Sequence, residues 1–216
     1  MEKINIDKLP RKKTYEWFKS FEYSTYGITK TIDVSSLVKH TKENHESFFI
    51  DMLYLITTSL NSIPEFRMRL VDNEPVIYED INPAITVMTE NESFENVRFE
   101  NSHDFKTFYE IAKKHIEPAK KVNTLSSVYN PTDCWSEFYI TCLPWIDFTG
   151  MTHPIPKNQS SQTVPRICWG KYYQDGDKYK MSLNITVSHI FIDGLHLSKA
   201  FNKIEESLNN IEELLK

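Results

Sequence analysis

A chain of 216 residues with 25 Lys and Arg against 30 Asp and Glu carries a formal net charge of −5, which offers no basic footprint for nucleic acid. No apolar run is long enough to cross a membrane, and the first eight residues lack the apolar core of a signal peptide. Cys134, Cys142 and Cys168 have no metal-ligand spacing and read as reduced thiols of a cytoplasmic protein, while Gly27, Gly150, Gly170, Gly176 and Gly194 form no phosphate-cradling loop.

In chain order, the pattern predicts a helix over 11–21, a strand over 26–34, and helices over 35–42 and 47–61, the last ended by Ile63-Pro64. Four β segments follow at 66–71, 75–78, 84–89 and 97–100, then a helix over 103–121, a long loop over 122–133 and a strand over 137–142. The stretch 151–163, with Pro154, Pro156 and several Ser and Gln residues, reads as an exposed loop. A hairpin of 166–173 and 178–189 turns at Gln174-Asp175-Gly176-Asp177, where Asp-Gly suits the positive φ that such turns demand. The alternation predicts an α/β fold, an α+β two-layer sandwich with a large mixed sheet flanked by helices, in one domain spanning 1–216.

The second arm of that hairpin is the most informative segment. Tyr179, Met181, Leu183, Ile185 and Val187 alternate with Lys180, Ser182, Asn184, Thr186 and Ser188, a period of two with one apolar and one polar face. His189 is the next residue on the apolar face. After Asp193-Gly194, Leu197, Phe201, Ile204, Leu208, Ile211 and Leu215 recur at spacings of three and four and predict an amphipathic helix. On the residues alone, His189 is either a satisfied core residue or a general base. Burial lowers an imidazole pKa towards the range a base needs, and a strand-to-turn junction exposes one ring edge.

His189-x-x-x-Asp193-Gly194 resembles the H-H-x-x-x-D-G signature of the coenzyme A-dependent acyltransferase superfamily. Leu143-Pro144-Trp145-Ile146-Asp147-Phe148-Thr149 is similar to the S-x-x-P-W-x-x-F segment of its chloramphenicol acetyltransferases. Gly170-Lys171-Tyr172-Tyr173-Gln174-Asp175-Gly176-Asp177 is similar to their G-K-Y-x-x-x-G-D hairpin. Lys30-Thr31-Ile32-Asp33-Val34, Pro64-Glu65-Phe66-Arg67-Met68 and Glu92-Ser93-Phe94 fall in the same order, so the resemblance spans residues 8–212. The family's single-copy members complete their site with a neighbouring subunit, which implies a homotrimer with active sites at the subunit interfaces.

The resemblance implies acetyl transfer from acetyl-CoA to a hydroxyl of a small acceptor, chloramphenicol first, with no metal, nucleic-acid or membrane partner. His189 would be the general base. Thr141 stands where the family has serine and would donate to the tetrahedral oxyanion; its extra methyl is a departure. Asp193 would pair with Arg11 to hold the loop that carries the histidine, a structural rather than a triad role, and a guanidinium grips a carboxylate with two bonds where Lys12 or Lys13 cannot. Trp17, Phe18, Tyr26, Phe94, Met151 and Cys168 match acceptor-pocket positions; Lys171 and Tyr172 match coenzyme A contacts. Further departures are Ser188 for the first motif histidine, Arg166 for an apolar residue, Cys168 for threonine and Met151 for phenylalanine. They favour as the alternative an acyltransferase of the same mechanism acting on another alcohol or thiol. His40, His45, His103, His115 and His153 are read as forming no ligand set, and His196 as a local hydrogen-bonding group.

Overall fold

The computed structural model describes residues 1–122 and 135–216. In order these form β1 (Glu2–Lys3), α1 (Lys12–Lys19), β2 (Thr25–Asp33), α2 (Ser35–Asn44), α3 (Phe48–Asn61), β3 (Met68–Val71), β4 (Glu74–Ile77), β5 (Asn82–Met88) and β6 (Phe94–Arg98). They continue with α4 (Phe105–Ala119), β7 (Glu137–Leu143), α5 (Gln159–Gln162), β8 (Arg166–Gly170), β9 (Tyr173–Asp175), β10 (Lys178–Ser188), α6 (Gly194–Asn209) and α7 (Ile211–Leu214). The main sheet runs β2-β10-β8-β7-β5-β6, with β9 paired to β10; β1, β4 and β3 form a small second sheet. The β8–β7 and β7–β5 pairs are parallel and the others antiparallel, so the large mixed sheet is as expected.

One face of the sheet builds the core. Met181, Leu183, Ile185 and Val187 of β10 join Ile167 and Trp169 of β8, Ile140 of β7 and Ile85 and Val87 of β5 in one apolar cluster with the helices. Helix α3 is apolar around most of its circumference and α6 presents Leu197, Phe201, Ile204 and Leu208 to the same core, as 3.6-residue periodicity dictates. The opposite face is polar but also buried at its centre: Asn184 donates to Thr29 Oγ1 at 3.0 Å and accepts from Thr186 Oγ1 at 3.0 Å. Gly27 sits opposite Thr186, and a Cβ there would come within 2.5 Å of the Thr186 hydroxyl, so only glycine lets β2 lie against β10. No helix among the described residues is long and apolar enough to cross a membrane.

Several boundaries move. The strand expected over 97–100 lies earlier, at Phe94–Arg98, because its pairing with β5 decides it, and the start of 66–71 is a 3-10 turn led by Pro64. The last helix breaks at Asn210, a poor helix former, into α6 and α7. Gly176 turns the hairpin at φ 63°, but the first arm splits into β8 and β9. The loop expected to be exposed over 151–163 is buried at its end: Ser161, Gln162 and Thr163 are 5%, 0% and 3% exposed, because they satisfy backbone and arginine groups beneath them. The loop expected over 122–133 lies, apart from Val122, outside the described residues, as does Cys134.

Candidate active site

The end of β10 delivers His189 by a continuous chain of backbone constraints. Ser188 is the last residue paired with β2, and the His189 N–H then donates to Ser24 O at 2.8 Å. The Ser24 backbone is in turn held by Gln162, whose Oε1 accepts the Ser24 N–H at 3.0 Å, and Ser24 and Ser188 hydroxyls meet at 2.7 Å. The imidazole stacks face to face on Phe18 with ring centroids 3.8 Å apart and leans on Tyr26 at 4.7 Å. Trp17 packs on Phe18 in a tilted pair with ring centroids 4.9 Å apart and is 63% exposed. The His189 side chain keeps 28% of its surface open.

Arg11 ties this loop down. Its Nη2 donates to Asp193 Oδ1 at 2.5 Å and its Nε to Oδ2 at 3.3 Å, while the same guanidinium reaches the carbonyls of Ile190 and, at 3.2 Å, His189. Asp193 also closes on the ring. Its Oδ1 lies 3.1 Å from His189 Nδ1, nearer than a purely structural carboxylate needs to be, yet Nδ1 makes no hydrogen bond among the described residues because the angle is wrong. Burial and the Asp193 charge push the Tyr26 hydroxyl up to about 12, so it stays a donor, to Ile192 O at 3.2 Å. The Asp193 N–H donates to His196 Nδ1 at 3.0 Å, at the start of α6.

Thr141 occupies a different place. It lies in β7 on the polar face, in register with Cys168 of β8, which pairs with Asn184 of β10. Its hydroxyl meets that of Thr86 at 2.8 Å, so if Thr86 donates, the Thr141 proton is left for another acceptor. Thr141 borders two cavities. The larger, about 970 Å³, is walled by Phe94, Tyr109, Trp145, Lys171 and Tyr172; the smaller, about 430 Å³, by Tyr139, His153, Ser161 and Arg166. Cys168 and Cys142 carry thiols that burial pushes up to about 12, which makes both neutral and unreactive near neutral pH.

The residues named from sequence therefore fall into two groups. Arg11, Trp17, Phe18, Tyr26, His189 and Asp193 meet at one end of the sheet; Thr141, Phe94, Lys171 and Tyr172 meet around the large cavity. The acceptor residues are not one pocket within a single chain, since Tyr26 and Phe94 lie on the two edge strands, β2 and β6. Met151 sits between, its carbonyl accepting from Asn184 at 3.4 Å. From His189 back to the row of Asn184 and Thr141 is about 16 Å along the strand, and about 10 Å more across two strand spacings. Sequence reasoning missed Ser24, Gln162, Thr86 and Tyr139, which are single polar or aromatic residues in unremarkable contexts; only the pairing makes them neighbours. It also missed that His40 of α2 joins Glu46 and Asp51 with potential ligand atoms all within 4.8 Å.

The family model for chloramphenicol acetyltransferase matches residues 1–205. The chloramphenicol acetyltransferase of Escherichia coli is 29% identical over 94% of this chain and 91% of its own length, and that of Campylobacter coli 29% identical over 96% and 98%. A solved chloramphenicol acetyltransferase superposes with a TM-score of 0.84 at 28% identity, covering 96% of this chain and all of that one. The dihydrolipoamide acetyltransferase of Azotobacter vinelandii shares the fold alone, with a TM-score of 0.66 at 15% identity over 94% and 88% of the two chains. A family match that runs over residues 1–205 means that the chain belongs to the chloramphenicol acetyltransferase family.

Proposed function

We propose that the protein is an O-acetyltransferase that moves acetyl from acetyl-CoA onto a hydroxyl of chloramphenicol, with each active site assembled between two copies of the chain in a homotrimer. The observation that supports this reading is the separation of the two halves. Strand register puts His189 about 16 Å along β10 and about 10 Å across the sheet from Thr141, a span that one carbonyl does not bridge, and we read the histidine end of one copy as facing Thr141 of a neighbour. An aromatic shelf in which exposed Trp17 adjoins half-buried Phe18 and His189 fits such an interface.

In the proposed reaction His189 takes the proton of the acceptor hydroxyl. Nδ1 is buried against Asp193, which leaves Nε2 as the accessible basic nitrogen. The hydroxyl oxygen attacks the thioester carbonyl, and the resulting oxyanion accepts from Thr141 Oγ1, itself held by Thr86. Collapse breaks the C–S bond, and the imidazolium returns its proton to the departing thiolate. The large cavity beside Thr141 would admit the coenzyme A arm, with Tyr172 and Lys171 at its wall for the adenine and a phosphate.

Free-thiol release from acetyl-CoA, with and without chloramphenicol, tests the reading with wild type and His189→Ala. Drug-dependent release that the substitution abolishes is expected; release indifferent to the drug would sink chloramphenicol as the acceptor. A second reading, the same mechanism on another alcohol or thiol, is favoured by one observation: the smaller cavity on the other side of Thr141 contains the buried charge of Arg166.

A further inference from the structure

The smaller cavity has an unusual lining for a site meant to take a neutral aromatic alcohol. Arg166 opens β8 and is 5% exposed, and no carboxylate among the described residues pairs with it. Its guanidinium lies over the Tyr139 ring at 5.5 Å. Nη1 donates to Ser161 O at 3.1 Å and Val164 O at 3.0 Å, and Nη2 to Ser161 Oγ at 3.2 Å. A guanidinium has five N–H donors. Among the described residues these three bonds leave Nε–H and one Nη2–H, an edge of the fork that matches a carboxylate.

The neighbours reinforce this polarity. His153 lies on the same wall, half-buried, with Nε2 3.2 Å from Asn184 Oδ1, and it brings no negative charge. Burial and the Arg166 charge both hold its pKa below the usual histidine range, so it faces the cavity neutral. Burial also holds the Arg166 guanidinium below its ordinary pKa. A buried cation without a partner is costly, and an anion entering from solvent removes that cost. Thr141, the hydroxyl assigned to the oxyanion, borders the same space, so a molecule seated against Arg166 would present another part of itself to the reaction centre.

We propose that the acceptor site selects an alcohol carrying a carboxylate, which Arg166 takes with its open edge while the hydroxyl lies towards Thr141. The inference rests on the acetyl-transfer reading and narrows its substrate class. Chloramphenicol, neutral and without a carboxylate to offer Arg166, would be a poorer acceptor than its counterpart with a carboxylate in place of the nitro group.

The test compares chloramphenicol with the analogue in which a carboxylate replaces the nitro group, by direct calorimetric binding and by thiol release from acetyl-CoA. Wild type is expected to prefer the carboxylate analogue at least tenfold in Kd or kcat/KM. Arg166→Met should lower that preference at least tenfold, and Arg166→Lys, which keeps the charge but not the fork, should fall between them. Arg166-dependent binding without turnover would uphold the site and sink acetyl transfer. Turnover of both alcohols with no carboxylate preference in wild type would overturn the inference and leave acetyl transfer standing. Failure of wild type to bind the carboxylate analogue would overturn the inference too, and that comparison holds even if the variants do not fold.

Discussion

The two halves of the proposed site are built on opposite plans. The histidine end is a loop pinned by backbone: His189, Ile190 and Ile192 spend their N–H or C=O groups on Ser24, Arg11 and Tyr26, and the ring is clamped between aromatics. The threonine end is a regular strand interior, whose hydroxyl is placed by sheet register and one contact with Thr86. Orientation at the first depends on a few long side chains drawn from distant sequence. At the second it depends on the ladder, which many residues share. The first should be brittle to single substitutions and the second tolerant of everything except loss of the hydroxyl.

The largest expected effect is at His189. His189→Ala should lower kcat by about 10²- to 10⁴-fold in the thiol-release assay, the range for removal of a general base. Thr141→Val should cost about 10²- to 10³-fold in kcat, the range for one oxyanion donor, while Thr141→Ser keeps the rate near or above wild type. A near-normal Thr141→Val enzyme would remove the second half from the reaction. Co-refolding His189→Ala with Thr141→Val chains sharpens the contrast. If the halves belong to different copies, roughly a quarter of the sites regain both groups, whereas sites within one chain regain nothing.

Smaller effects separate brittle from tolerant further. Arg11→Lys replaces a two-bond grip on Asp193 with a point charge and should reduce kcat by about tenfold with little change in KM, because it disorders the loop rather than the pocket. An unaltered kcat would show that the aromatics alone hold His189. Away from both halves, Asp51 is fully buried at the start of α3 with neither oxygen hydrogen-bonded, and burial together with Glu46 pushes its pKa to about 7. The folded state therefore holds a proton that the unfolded chain releases near pH 4, so stability is lost as pH rises towards 7. Asp51→Asn should remove up to about 4 kcal/mol of that loss, seen as a Tm that exceeds wild type at pH 8 and matches it at pH 4. Equal Tm differences at both pH values would contradict a charge origin.

Much of the architecture was legible in the chain because it is written in local periods. The alternation of 179–188 and the three-and-four spacing after Asp193 are enough to put a strand, a histidine and a helix in that order. Where a segment is polar and irregular the signal fails. Gln162 sits in a stretch whose composition reads as exposed loop, yet its amide is buried, since it satisfies the Ser24 N–H and the Glu22 carbonyl.

From residues alone, then, this protein declared its secondary elements, its likeness to an acyltransferase and the types of side chain that the chemistry requires. Residue type and local period are properties of neighbours along the chain, and they survive without a fold. Tertiary structure alone decided that His189 and Thr141 stand apart on one chain, that Phe94 is across the sheet from Tyr26, and that Arg166 lines the second cavity beside Thr141. Those facts depend on strand order and on which buried charge finds a counter-charge, and both are set by pairings between residues far apart in sequence.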